Sequence, residues 1–364
     1  MKTTNDTIFD LTDTPPSGLN TRGTDATAAT GDTCYGFIGL GVMGWGMANN
    51  LRAKLPAHNT LTVCEINSKR LEQWVEQAPP GPVSVASSPR EVAEQSDVIF
   101  TMLPRGSHVW DVFTSQESGL LLCDTPRSFS LPNNKLFIEC STIDVETSKK
   151  TASEVQQSAT KKGVSYDFVD APVSGGVNGA NSGTLSFMVG ANTTALFERV
   201  RPILSLMGKL DNIFHCGDVG SGLATKQINN YLSCITMIGT CEAMNMGIKS
   251  GLDPAKLASV IAVSTGACYN CADQNPVRGV STKSSAEKDF AAGFTTEMAK
   301  GVLDMALAHG TTVGATSLLG NIVCDFYERA VAHEKCRGKD FRSIWRLFSE
   351  DDGRDVFVKQ AKKE

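Results

Sequence analysis

No stretch of this chain is apolar for long enough to cross a membrane. The best candidate, residues 228–241, is interrupted by Asn229, Asn230, Ser233 and Thr236, whereas a helical span needs about 20 consecutive apolar residues. No arginine-rich stripe or basic arm is present, and the formal net charge is −5, so neither a membrane nor nucleic acid is expected as a partner. Metal-ligand spacing is missing too. The five histidines form no His-Glu-x-x-His pattern, and Cys268-Tyr-Asn-Cys271 has no second Cys-x-x-Cys to complete a zinc ribbon. No secretory leader is recognisable, so the eleven cysteines read as thiols of a reducing compartment.

Residues 1–33 are almost free of large apolar side chains and cannot bury enough surface to order themselves. They are expected to be a disordered tail, and 351–364 a C-terminal one. A mitochondrial presequence is rich in arginine and poor in acids. Here Asp6, Asp10, Asp13 and Asp25 face only Lys2 and Arg22, a poor match, which leaves mitochondrion and cytoplasm both open.

What the chain does have is the run Cys34-Tyr-Gly-Phe-Ile-Gly-Leu-Gly-Val-Met-Gly44. A short apolar strand ends in Gly39-x-Gly41-x-x-Gly44 and opens into a helical pattern, as a pyrophosphate-binding turn does. With 33 glycines in 364 residues the spacing alone is weak, but its context strengthens it. Residues 45–55 read as a helix, and Leu61-Thr-Val-Cys-Glu65 as a second strand. Glu65 falls about 20 residues beyond Gly44, where an acid binds a ribose 2′-OH and repels a 2′-phosphate. That favours NAD over NADP, with Lys69 and Arg70 close behind as a counterweight.

Short apolar runs recur at 35–40, 61–65, 83–85, 97–103, 135–140, 165–169, 184–190 and 212–216, with helical stretches between the early ones. This alternation predicts a doubly wound α/β domain of the Rossmann type over 34–218. After Gly222 the strand pattern stops. Residues 223–249 read as one long helix closed by Lys249-Ser-Gly251. Asp253-Pro254 starts another, and further helices are expected near 294–309, 315–334 and 340–349. The segment 219–350 is therefore expected to be an all-helical domain.

Lys226 lies early in the long helix, with Asn229 and Asn230 three and four residues on and so on the same face. Beside a nicotinamide site a lysine can exchange a proton with a carbinol, provided desolvation brings its pKa down from about 10.4. Spacing alone leaves a solvated lysine as the plainer alternative. In Asp170-Ala-Pro-Val-Ser-Gly-Gly176, the Ser174 hydroxyl and the N–H groups of Gly175 and Gly176 suit a carboxylate, and an ordinary loop would account for them equally well.

Taken together the segments resemble the β-hydroxyacid dehydrogenase family, in particular its members that act on 3-hydroxyisobutyrate. The likeness is carried by Gly36-Phe-Ile-Gly-Leu-Gly-Val-Met-Gly44, Thr101-Met-Leu-Pro104, Ser141-Thr-Ile-Asp144 and Asp170-Ala-Pro-Val-Ser-Gly-Gly176. It continues in Gly217-x-x-Gly-x-Gly-x-x-x-Lys226-x-x-Asn-Asn230 and Gly239-Thr-Cys-Glu-Ala-Met-Asn245. These motifs stand in the family's order over residues 34–350.

The resemblance implies an enzyme that moves a hydride from a small hydroxy acid to NAD. The expected reaction is 3-hydroxyisobutyrate to methylmalonate semialdehyde, as in valine catabolism. Lys226 would be the acid/base, and Asn230 would position the substrate or hold Lys226. Ser174, Gly175 and Gly176 would bind the substrate carboxylate. Gly39, Gly41, Val42, Met43 and Gly44 would cradle the cofactor, with Glu65 on its ribose. Leu103, Pro104, His108 and Thr142 would line its cleft, and Lys300 with Phe294 would approach it from the helical domain. A homodimer or homotetramer is implied as well.

Two positions depart from the family pattern. Gly301 stands where Asp usually follows the equivalent of Lys300, and His108 stands where Asn is usual. Neither touches Lys226. Two other functions follow if those departures matter: reduction of tartronate, glyoxylic or succinic semialdehyde, or a catalytically reduced NAD-binding scaffold.

Overall fold

Short apolar runs form strands that can be buried on both faces of a parallel sheet. The computed structural model describes residues 33–123, 134–291 and 293–349; apart from Thr33, the two expected tails lie outside them. Six strands are β1 (Tyr35–Ile38), β2 (Leu61–Cys64), β3 (Val83–Val85), β4 (Val98–Thr101), β5 (Asn134–Glu139) and β6 (Ser165–Asp170). They are parallel, in the order β3-β2-β1-β4-β5-β6. Three more, β7 (Val173–Ser174), β8 (Leu185–Gly190) and β9 (Gly208–Gly217), extend the sheet. The chain returns after β6, so β8 runs antiparallel to β6 and β7, and β9 then pairs parallel to β8. The sheet is thus mixed at this edge. Only β7 was absent from the expected strands, because two residues carry no alternation.

The alternation of side chains along the strands builds two cores. Phe37, Phe100, Ile138 and Val169 sit in register on one face. Ile99, Phe137 and Phe168 do so on the other. Each such side chain, fully buried, contributes about 1.5–3 kcal/mol. The layers over them are α1 (Val42–Lys54), α2 (Ser68–Gln77), α3 (Pro89–Gln95), α4 (Gly106–Thr114), α5 (Val145–Lys162), α6 (Gly176–Ser182) and α7 (Thr194–Leu204). Asn67, Ser88, Asp144 and Thr193 begin α2, α3, α5 and α7, each side chain accepting the N–H three residues on. Two buried cations also brace the sheet. Arg52 donates to the carbonyls of Asn59, Pro82, Leu55 and Pro56, and Lys135 to those of Ala93 and Ser96.

The long helix α8 (Ser221–Lys249) carries the chain from the sheet into a helical core. Its first turn packs on β8, and Gly222 leaves no room for a side chain there: a Cβ would lie 2.3 Å from the Met188 carbonyl oxygen. Farther along, Cys234, Met237 and Cys241 pack with Leu303, Phe326, Tyr327 and Ile344. The remaining helices are α9 (Pro254–Ala262), α10 (Tyr269–Ala272), α11 (Thr296–Thr312), α12 (Gly320–Ala332) and α13 (Arg346–Ser349). Asp253 caps α9 as expected, with Pro254 in its first turn. The last expected helix divides into a 3₁₀ turn, Phe341–Trp345, followed by α13. Among the described residues no helix is long and apolar enough to cross a membrane.

Candidate active site

The three glycines of the first turn meet three different constraints. Gly39 has φ +94°, and a Cβ on it would lie 2.4 Å from the Met102 carbonyl oxygen. A Cβ on Gly44 would lie 1.9 Å from the carbonyl oxygen of Gly39, so α1 can close on β1 only as it does with glycine there. Gly41, by contrast, has nothing within 4 Å of a would-be Cβ. The backbone is bare on that side, and α1 starts there without any side-chain cap. Val42 and Met43 follow in the first turn, with Val42 exposed and Met43 half-buried. Uncapped N–H groups and the positive end of the helix dipole form an anion site at this point.

The neighbouring strand ends converge on the same edge. Glu65 follows β2, and one carboxylate oxygen accepts the N–H of Leu40 at 2.7 Å, the other that of Asn67 at 3.0 Å. Arg70 donates to the Leu40 carbonyl, and its guanidinium lies over the Trp45 ring. The acid expected near a ribose is thus fixed to the glycine turn itself. Leu103, half-buried after β4, donates its N–H to the Ser141 hydroxyl at 2.7 Å. Thr142 is the next residue and is also half-buried. Pro104 and His108 are exposed, with His108 in the first turn of α4. Together they fit a dinucleotide: a bare turn for its phosphates, an acid at the end of β2, and two tied loops beyond β4 and β5.

Lys226 lies in the second turn of α8, and two contacts fix its place. The Asp170 carboxylate, buried at the end of β6, accepts the N–H groups of Gly220 at 2.7 Å and Leu223 at 2.8 Å. Burial pushes the Asp170 carboxyl up to about 6 while these donors pull it down, so it is ionised at neutral pH. Gln227, next to Lys226, donates to the Ile143 carbonyl at 2.9 Å. That contact puts the start of α8 beside the loop that carries Ser141 and Thr142. Lys226 itself is buried, and its Nζ makes no hydrogen bond among the described residues. Burial lowers its pKa to about 8, so both protonation states are accessible near neutrality. Asn230, half-buried, lies one turn on along the same helix face, and Asn229 is exposed.

The Ser174 segment opens a short helix. Gly175 has φ +132° and Gly176 φ +59°, both are exposed, and α6 begins there with no side-chain cap. Ser174 is half-buried and pairs with Ser186 on β8. Asn50 of α1 clamps α6 in place, its amide donating to the carbonyls of Ala180 at 2.8 Å and Asn181 at 3.1 Å. The glycine turn and the Ser-Gly-Gly turn therefore share one rigid support. Phe294 and Lys300 are less directly tied to this edge. Phe294 is partly exposed and packs edge-on to Phe341. Lys300 forms an ion pair with Asp304 at 2.8 Å on its own helix. Partial burial pushes the Lys300 ammonium down, and Asp304 more than offsets this, so its pKa is raised. A carboxylate one turn away thus holds the lysine that Gly301 leaves without an adjacent acid. No hydrogen bond joins either residue to the glycine turn among the described residues.

Two positions that matter here carried no functional reading in the sequence: Asn50 and Gln227. The sequence holds no local signal for either, since each directly follows another polar residue.

A bare glycine turn fixed to an acid at the end of β2, with a buried lysine, unpaired among the described residues, on a helix docked beside the loop after β5, defines an NAD-dependent dehydrogenase. Residues 34–239 match the NAD binding domain of 6-phosphogluconate dehydrogenase. Residues 220–348 match a family described as NAD-binding of NADP-dependent 3-hydroxyisobutyrate dehydrogenase. The 3-hydroxyisobutyrate dehydrogenase of Pseudomonas aeruginosa is 38% identical over 317 residues, which is 87% of this chain and 98% of that protein. The mitochondrial one of Rattus norvegicus is 37% identical over 320 residues, 88% of each chain. The solved structure of the Mycobacterium tuberculosis 3-hydroxyisobutyrate dehydrogenase with L-serine superposes with a TM-score of 0.73 at 31% identity. That match covers 86% of this chain and 98% of the other. The chain belongs to the 3-hydroxyisobutyrate dehydrogenase family of NAD-dependent oxidoreductases that act on a CH–OH group.

Proposed function

We propose that this enzyme oxidises 3-hydroxyisobutyrate to methylmalonate semialdehyde with NAD as acceptor, a step of valine breakdown. The observation that carries the reading is Lys226: buried, unpaired among the described residues and lowered to about 8, on a helix docked beside Thr142. The nicotinamide ring, when bound, supplies the hydride acceptor. Lys226 takes the hydroxyl proton of the substrate in oxidation and returns it in reduction. Ser174 with the N–H groups of Gly175 and Gly176 holds the substrate carboxylate, and Asn230 orients substrate or lysine. Gly39, Gly41, Val42, Met43 and Gly44 hold the pyrophosphate, and Glu65 the ribose. Leu103, Pro104, His108 and Thr142 line the nicotinamide side, which Lys300 and Phe294 approach from the helical part.

In this reading residues 34–218 bind the cofactor and 219–350 form the helical domain. The working enzyme is a homodimer or homotetramer acting on a small molecule, without nucleic acid or membrane, in mitochondrion or cytoplasm. The test is the NAD-linked rate with the full chain over a panel of short hydroxy acids and semialdehydes. The highest kcat/KM is expected with 3-hydroxyisobutyrate. A higher value for tartronate, glyoxylic or succinic semialdehyde would reassign the substrate, and NAD binding without turnover on any of them would make the protein a scaffold.

A further inference from the structure

Glu139 closes β5 and is completely buried, yet no step above uses it. In register it stands between Thr101 on β4 and Asp170 on β6. Its Oε1 accepts the N–H of Ser141 at 2.8 Å and faces the Thr101 hydroxyl at 3.5 Å. Its Oε2 is buried and has no partner among the described residues. The Ser141 hydroxyl then accepts the Leu103 N–H. One side chain thus ties together the ends of β4 and β5, whose loops carry Leu103, Pro104 and Thr142.

A buried carboxylate with one oxygen unpaired, beside a second acid, is a costly arrangement, and a neutral carboxylic acid in the same place costs much less. We propose that Glu139 is a positioning residue, held as a neutral acid, that sets Leu103, Pro104 and Thr142 against the nicotinamide end of the cofactor through Ser141. This rests on the reading that those three residues line the cofactor cleft. Burial pushes the Glu139 carboxyl up to about 8, and Asp170 adds to the rise against the pull of the Ser141 bonds. The titratable groups around it are Asp170 on β6 and Cys140, the next residue in the chain. β4 contributes only the uncharged Thr101, and α8 reaches this group through the N–H of Leu223 on Asp170. When Glu139 ionises, the Asp170 carboxylate repels it from the adjacent strand, and the Ser141–Leu103 tie moves with it.

Affinity for NADH, read by its fluorescence from pH 6.5 to 9.5, tests this. A Lys226→Ala background removes that lysine's own titration. With Glu139 present, affinity is expected to fall by about threefold to tenfold as the pH rises through 8. With Glu139→Gln, an isostere of the neutral acid, it should match the parent at pH 7 and stay flat. Glu139→Ala should bind about tenfold more weakly at every pH. Equal pH dependence in the parent and in the Glu139→Gln variant would overturn the proposal, even if the alanine variant did not fold. So would full affinity in a folded alanine variant. If the parent binds no NADH at any pH, the cofactor reading itself fails, and that outcome is distinct from a pH-insensitive binder.

Discussion

The Asp170 carboxylate on β6 accepts the N–H of Leu223 on α8 at 2.8 Å. A second bond to the Gly220 N–H, at 2.7 Å, makes this acid the anchor of the helix that carries Lys226. It is a charge-assisted contact at the positive end of a helix, sealed from water. Asp170→Asn would turn one acceptor into an NH₂ group facing a backbone N–H. The expected loss of stability is about 2–4 kcal/mol, read by urea unfolding. Turnover should fall more than NAD affinity does, because the helix start moves while the glycine turn stays. A change within about 0.5 kcal/mol would mean that packing at Gly222 suffices to dock α8.

Two alanine substitutions in the glycine turn should separate folding from binding. Gly44→Ala places a methyl 1.9 Å from the Gly39 carbonyl oxygen, backbone that cannot yield cheaply. A loss of about 2–4 kcal/mol in thermal unfolding without cofactor is expected. Gly41→Ala meets nothing within 4 Å, at φ −59°, and should unfold within about 1 kcal/mol of the parent. Its NAD affinity should fall about tenfold or more, since the methyl occupies the backbone's line of approach to the phosphates. If the two variants behave alike, the glycines do not have separate roles.

That contrast also explains what could be read from the chain. A glycine spacing reports backbone constraints, and those are local, so the turn over Gly39–Gly41–Gly44 was legible. So was the helix start at Asp253, whose cap acts three residues away, and so were the strands that alternate. β7 was not, being two residues long. The anchoring by Asp170 was not either, because its partners lie fifty residues on, at Gly220 and Leu223. Nothing local marks Glu139 as buried between two strands. Spacing alone left Lys226 open between solvent and cleft. What burial adds is the removal of water from its amine, a property of the packed fold. The roles of Phe294 and Lys300 came from resemblance, and the contacts of Lys300 with Asp304 show a partner that the pattern around Gly301 left open.

Cofactor choice should turn on Glu65. Its carboxylate ties down the N–H of Leu40 in the glycine turn, and Arg70 stands close by over Trp45. Removing the acid leaves Arg70 and Lys69 to meet a 2′-phosphate. Glu65→Ser is expected to raise the ratio of kcat/KM with NADP to that with NAD by about tenfold or more. The lost Leu40 contact should cost about 1–2 kcal/mol in the same variant. Steady-state rates with both cofactors decide it, and an unchanged ratio would place the preference elsewhere.

The pH dependence of turnover should follow Lys226. Its pKa is lowered to about 8 by burial, so the neutral amine is the minor form below that pH and the major one above. Oxidation needs the neutral amine to accept a proton. Its kcat/KM should therefore climb about tenfold per pH unit below 8 and level off above. Reduction needs the ammonium and should show the mirror image, falling as the pH rises past 8. Lys226→Ala should lower turnover by about 10²–10⁴ and abolish the slope while NAD still binds. Lys226→Arg keeps a cation that does not deprotonate in this range, so it should stay inactive even at pH 9. Stability carries the same sign. The folded-state pKa lies below the unfolded one, so the burial penalty of the charged amine, full below pH 8, is relieved as the pH rises toward about 10.4. Lys226→Met should accordingly be at least as stable as the parent at pH 7, and a markedly less stable variant would mean that the ammonium is held by partners rather than poised for a substrate.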